Sequence, residues 1–169
     1  MQLVVIAHNL RSIHNVGSLL RTADGLGVSR VIFTGYTPFP ALLVDDPRLP
    51  HEREKITKMI HKTALGAEFS QVWNREENVF TAIDALRADG FTIAALEQTP
   101  ESIPLPSYRP PEKLAIILGR EVEGMESEVL EATDLQLEIP MVGQKESFNV
   151  VEAATMAMYH CILGAHVAK

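Results

Sequence analysis

The feature that most constrains this chain is an alternation of short apolar runs with longer amphipathic segments. Residues 3–7, 30–34, 91–96 and 114–118 are near-continuous apolar stretches, and 135–139 is a weaker fifth. A strand with one wet face alternates apolar and polar side chains, whereas an unbroken apolar run is covered on both faces. Between these runs, apolar side chains recur at helical spacing around 16–26, 54–65 and 78–88, and from 150 to about 166. This order predicts an α/β fold, a mostly parallel sheet with helices on both faces. A chain of 169 residues suits one domain spanning 1–169. Two loops are rich in proline, 37–50 and 100–111, the latter holding Pro100, Pro104, Pro106, Pro110 and Pro111. Neither reads as a domain linker, because neither half alone has enough strands. The second is long enough to cross between two parallel strands.

Composition excludes several functions. Fifteen basic and 22 acidic residues leave a net charge of -7, which argues against a sequence-blind basic coat for nucleic acid. A lone cysteine, Cys161, forms no intrachain disulfide and no thiolate zinc cluster, and it fits a reducing, cytoplasmic setting. The six histidines have no metal-ligand spacing, so no metal is expected. No apolar run reaches the roughly 18 residues of a membrane span. The apolar start, 1–6, lacks a basic leader and reads as a first strand rather than a signal peptide.

Four segments could carry chemistry. In 8–28, Val16, Leu19, Leu20 and Ala23 form a helical stripe that Gly27 ends, and Arg21 projects away from that stripe. Asn15 is expected to cap this helix. Asn9, Arg11, His14, Asn15 and Arg21 crowd past the end of a buried strand, where open α/β sheets bind ligands. Arginine beside asparagine suits gripping a phosphate and orienting a hydroxyl. In 114–125, a buried strand runs into Gly119, with Glu121 and Gly124 following. This spacing is neither the dinucleotide fingerprint nor a P-loop. In 139–159, Asn149 followed by Glu152 resembles a capping box. The helix behind it is apolar nearly all round, and one side of it is expected to meet another subunit. Finally, 48–62 carries Arg48, Arg53, Lys55, Lys58 and Lys62 against Glu52 and Glu54, a local sum of +3. Lys55, Lys58 and Lys62 share one helical face. In an acidic chain that face is either a solvated surface or the place for a phosphate backbone.

Taken in order, these segments resemble the SpoU/TrmH family of RNA ribose 2′-O-methyltransferases, of the SPOUT class. The first motif is similar in Asn9, Arg11, Asn15, Gly17 and Arg21-Thr22-Ala23. The second is similar in Leu118-Gly119, Glu121 and Gly124. The third is similar in Ile139-Pro140-Met141 and Ser147-Phe148-Asn149-Val150, and 61–68 resembles the family's middle region. The family commonly has Leu where this chain has Phe148. The resemblance implies an α/β knot, with the C-terminal segment threaded through a loop, and a homodimer. It implies S-adenosylmethionine as cofactor, held by Leu96, Gly119, Ile139, Met141, Ser147 and Phe148. It implies Arg21 as the catalytic arginine, with Asn15, Ser147 and Asn149 positioning it and the ribose, and Glu121 organising the loop. Many members carry an extra N-terminal RNA-binding domain; the first strand here begins at once, which predicts a minimal catalytic domain. RNA, tRNA or rRNA, would then be captured by the domain surface, through Arg11, Lys55, Lys58 and Lys62. A nucleotide-binding oxidoreductase would need a glycine-rich turn after the first strand, and 8–17 has one glycine. A non-catalytic RNA-binding dimer of the same fold is the alternative.

Overall fold

The computed structural model describes residues 1–121 and 123–164. Seven strands form one sheet: β1 (Gln2–His8), β2 (Arg30–Thr34), β3 (Trp73–Arg75), β4 (Thr92–Leu96), β5 (Ile103–Pro104), β6 (Lys113–Leu118) and β7 (Leu135–Glu138). Six α-helices connect and cover them: α1 (Ile13–Leu26), α2 (Pro50–Ala64), α3 (Ala67–Ser70), α4 (Val79–Ala88), α5 (Ser127–Glu131) and α6 (Val150–Ile162). The strand order is β3-β2-β1-β6-β4-β7-β5, and each pairing is parallel.

The apolar runs are strands because both of their faces are covered. Leu3, Val5 and Ala7 of β1 pack into one core with Val16, Leu19 and Leu20 of α1, Ile60 of α2 and Ala154 of α6. Val4 and Ile6 point the other way, into a second core with Ile83 and Leu86 of α4 and Val129 of α5. The expected helices on both faces are therefore present. The elements that periodicity did not reveal, β3, β5, α3 and α5, are two to five residues long. Such pieces are too short for a period to show. Pro104 is tolerated in β5 because β5 is an edge strand.

Two helix ends differ from expectation. Ser12, not Asn15, caps α1: its backbone is extended, and its Oγ accepts the Asn15 N–H at 3.2 Å. Asn15 thus lies inside the first turn, where its side chain is released from capping. At the other end of the chain α6 stops at Ile162, short of the expected His166, and 165–169 lie outside the described residues.

The chain steps outward through β1, β2 and β3, then returns through α4 to β4, leaving a slot that β6 fills beside β1. Order reverses there, and at such a reversal the loops at the carboxyl ends of the strands diverge and leave a crevice.

Candidate functional site

A cleft of about 170 Å³, open to solvent, lies at the carboxyl ends of β4, β6 and β7. Leu96, Gly119, Ile139, Met141, Ser147 and Phe148 all line it, so four separate stretches of sequence converge on one cavity. The floor is backbone. A Cβ on Gly119 would come within 3.1 Å of the Met125 Cβ and 3.2 Å of its backbone, so a side chain there would press against the loop after β6. Apolar Leu118, Leu137 and Val150 complete the walls, and Glu97, Glu138 and Arg120 supply charge.

Glu97 went unnoticed in the sequence, because a lone glutamate after a strand has no pattern. Its backbone N–H donates to the Leu137 carbonyl at 2.9 Å, and its carboxylate accepts the Met125 N–H at 2.9 Å and the Gln98 N–H at 3.0 Å. Gly124, at φ 73°, lies so close that a Cβ there would be 3.0 Å from the same carboxylate. Glu97 therefore ties the loop after β4 to the loop after β6 through its side chain, and to β7 through its backbone.

Glu121 joins the cleft to the start of α1. Its carboxylate accepts the Arg11 N–H, the Ser12 N–H at 3.2 Å and the Asn15 Nδ2–H at 3.2 Å. A carboxylate at a helix N-terminus is favoured by the unpaired N–H groups and the helix dipole. The Asn15 amide oxygen faces Asn149, whose Nδ2 is 3.4 Å away, while Asn149 Oδ1 caps α6 by accepting the Val151 N–H at 2.8 Å. Asn15, Glu121 and Asn149 are thus assembled beside Ser147 at the cleft's rim. Arg21 is not in this group. It is exposed on α1 and makes no hydrogen bond or ion pair among the described residues.

The remaining basic residues divide. Arg11 is exposed, and its guanidinium donates to Glu123 at 2.6 Å. Arg48 is not part of an open basic face. It is held by buried Asp46 at 2.6 Å and stacked 3.8 Å over the Phe39 ring, pinning the loop that follows β2. Lys55, Lys58 and Lys62 are exposed on α2 and have no ion-pair partner among the described residues.

A second cluster supports the loop after β1. Asn9 adopts a left-handed backbone, φ 56°, and its side chain accepts the Tyr36 N–H at 3.1 Å and donates to Glu126 at 2.9 Å. Gly35 must be glycine, since a Cβ would fall 1.8 Å from Asn9 Oδ1. Burial lowers the His8 pKa, which the nearby Glu126 opposes, and His8 Nδ1 bonds the Thr34 hydroxyl at 2.8 Å. Burial would raise the Glu126 carboxyl, but bonds from its own N–H and from Asn9, with the charges of His8 and Arg120, hold it below its ordinary value.

Among the described residues, no group of His, Cys, Asp and Glu is arranged to hold a metal ion. No helix among them is long and apolar enough to cross a membrane.

A parallel α/β sheet with a cleft at the carboxyl ends of β4, β6 and β7 has the general form of an α/β domain that takes a ligand beyond its strand ends. The chain belongs to the SpoU rRNA Methylase family, whose model matches residues 2–159. A TrmH family tRNA/rRNA methyltransferase of Staphylococcus aureus (strain COL) is 33% identical over 167 residues, covering 96% of this chain and 59% of that protein. The tRNA (guanosine(18)-2'-O)-methyltransferase of Borreliella burgdorferi is 30% identical over 163 residues, covering 95% of this chain and 66% of that protein. The chain thus spans roughly three fifths of the length of the first of these relatives. In fold it is similar to the SpoU methyltransferase AviRb from Streptomyces viridochromogenes in complex with AdoMet. The TM-score is 0.77 at 23% identity, over 99% of this chain and 58% of that one.

Proposed function

We propose that this domain, 1–169 acting as one unit, transfers a methyl group from S-adenosylmethionine to a ribose 2′-hydroxyl of tRNA or rRNA. The observation that carries the reading is convergence: the six residues assigned to the cofactor by motif all line one cleft. The knotted threading implied by the motifs belongs to the same reading.

The cleft suits this cofactor. Its floor at Gly119 is bare backbone that can approach a ligand closely. Leu96, Ile139, Met141 and Phe148 offer apolar surface for the adenosine. Glu97 and Glu138 against Arg120 leave the lining short of positive charge, as a sulfonium requires. When bound, the cofactor supplies an electrophilic methyl group. The protein's tasks are to exclude water, to align the ribose oxygen and to manage the negative charge that develops on it. Ser147, Asn15 and Asn149 orient the ribose at the rim. Glu121 acts as a brace, since its carboxylate is already committed to the α1 N-terminus. Arg21 clamps a phosphate and stabilises the developing alkoxide. An arginine stays protonated in proteins, so it is not the base.

Arg21 stands outside the lining of its own cleft, which fits a role across a homodimer. Tyr159 and Leu163 at the end of α6 are 57% and 44% exposed, an apolar surface for a second copy. Sedimentation at micromolar protein should show a dimer; a monomer that still methylates RNA would contradict it. The activity itself is tested by binding of labelled S-adenosylmethionine followed by transfer of label to ribose in RNA. Binding without transfer to any RNA would instead favour a non-catalytic RNA-binding protein.

Glu97 provides a test of how the cleft is held. Glu97→Ala should weaken S-adenosylhomocysteine binding about 10-fold or more, the cost of losing charge-assisted hydrogen bonds. Glu97→Gln, which keeps one oxygen acceptor, should recover part of it. Calorimetric titration reads both, and equal affinities in all three proteins would remove Glu97 from the site.

A further inference from the structure

We infer that the exposed flank of α2 and α3 is a track for single-stranded RNA, with phosphates on Lys55, Lys58 and Lys62 and an unpaired base stacked on Phe69. The inference rests on the reading of the domain as an RNA methyltransferase, and it adds where and how unpaired RNA is held.

The first observation is an exposed apolar patch. Leu65, Phe69 and Val72 are 61%, 80% and 61% exposed, although they follow one another closely in the chain. Three large apolar side chains left exposed within eight residues are more than the scattered single ones a surface ordinarily carries. The second observation is that Phe69 has an anchored aromatic neighbour. His61 bonds the buried Glu68 carboxylate, which also accepts the Gly66 N–H at 3.0 Å. The His61 ring lies 6.4 Å from the Phe69 ring, tilted by 49°. Phe69 is therefore flanked by a ring that Glu68 positions, while most of its own surface stays open to a flat ligand.

The third observation is charge. Lys58 and Lys62 lie one turn before and one residue after His61, and Lys55 extends the line by another turn. All three are exposed and have no ion-pair partner among the described residues, in a protein of net charge -7. Glu52 and Glu54 precede them in the first turns of the helix. An apolar protein partner would account for Phe69 but leave the lysines unanswered. An unpaired polynucleotide answers both, since every base has a π-face and every linkage a phosphate. The fold supplies a direction as well. The last turn of α2 meets the first turn of α1, where the Thr63 hydroxyl donates to the His14 carbonyl at 2.9 Å. The Lys62 end of the track therefore lies beside the start of α1, which carries Asn15, and the helix covers roughly 20 Å.

The test is fluorescence anisotropy of the full chain with a labelled oligouridylate and with an RNA duplex of equal length. Phe69→Ala should weaken the single strand about 5-fold or more, with the salt slope unchanged and the duplex much less affected. Phe69→Tyr should restore binding. Replacing Lys55, Lys58 and Lys62 with Gln should flatten the salt slope by about 2, at roughly 0.7 per phosphate contact. Wild-type single-strand affinity in Phe69→Ala would overturn the inference, as would equal weakening of strand and duplex. A change in sedimentation on Phe69→Ala would overturn it too, by showing the patch to be a contact between copies. If the lysine variant alone responds, the stacking platform fails while the phosphate contacts stand. If neither variant responds but label transfer to RNA persists, the track fails and the methyltransferase reading survives.

Discussion

Arg21→Ala should slow single-turnover methyl transfer by about 100-fold to 1,000-fold, the usual cost of removing one preorganised donor to a developing oxyanion. The same change should leave the unfolding midpoint near that of the wild type. Both expectations follow from where Arg21 stands. It lies on the exposed side of α1, opposite buried Val16, Leu19, Leu20 and Ala23, and it holds no partner among the described residues. A side chain that no folded neighbour uses is available to a substrate. In the proposed role Arg21 stabilises charge that develops in the reaction, so the loss is expected in the chemical step rather than in cofactor affinity. Arg21→Lys should recover only part of the rate, since an ammonium lacks the planar, two-pronged donor geometry. The measurement is a single-turnover time course at saturating enzyme and cofactor. A near-wild-type rate for Arg21→Ala would remove Arg21 from catalysis, and an unfolded variant would make it structural.

The strands of the sheet's centre were legible because burial on both faces leaves an unmistakable run of apolar residues. β1 and β6 lie side by side with fully buried registers such as Val5 opposite Ile116. The edges were not legible, since two or three residues cannot show a period. The cleft was readable through motif resemblance, and all six of its assigned residues converge. Asn15 was misread for a physical reason. It is a good cap type, but Ser12 three residues earlier is another, and local preference alone does not choose between them. The choice matters, because only an Asn15 relieved of capping can bridge Glu121 and Asn149. Glu97 was invisible because its role lies in partners distant in sequence, Met125 and Leu137. Arg48 was counted as surface charge because nothing local announces that Asp46 is buried beneath it.

Gly17 is where helix propensity and tertiary packing predict opposite signs. In an isolated helix, replacing glycine by alanine stabilises by up to about 1 kcal/mol. Here a Cβ on Gly17 would come 2.1 Å from Thr63 Oγ1, 2.4 Å from the Ile60 carbonyl oxygen and 3.0 Å from the Ala64 nitrogen. The Thr63 hydroxyl could rotate away, at the cost of its 2.9 Å bond to the His14 carbonyl. The Ile60 carbonyl is backbone inside α2 and has nowhere to go, so α1 and α2 must separate. Overpacking of this kind costs on the order of 1–3 kcal/mol, enough to outweigh the gain in propensity. Gly17→Ala should therefore lower the unfolding midpoint by several degrees, at roughly 2–4 °C per kcal/mol for a chain this long. Gly25, in the same helix, has nothing within 4 Å of its Cβ position, so Gly25→Ala should raise the midpoint. Thermal unfolding of the two variants side by side measures the difference in sign. If both raise the midpoint, the helices do not meet at Gly17. If Gly17→Ala is folded but weaker, its methyl-transfer rate should fall as well, because α1 carries both Asn15 and Arg21 and moves them with it.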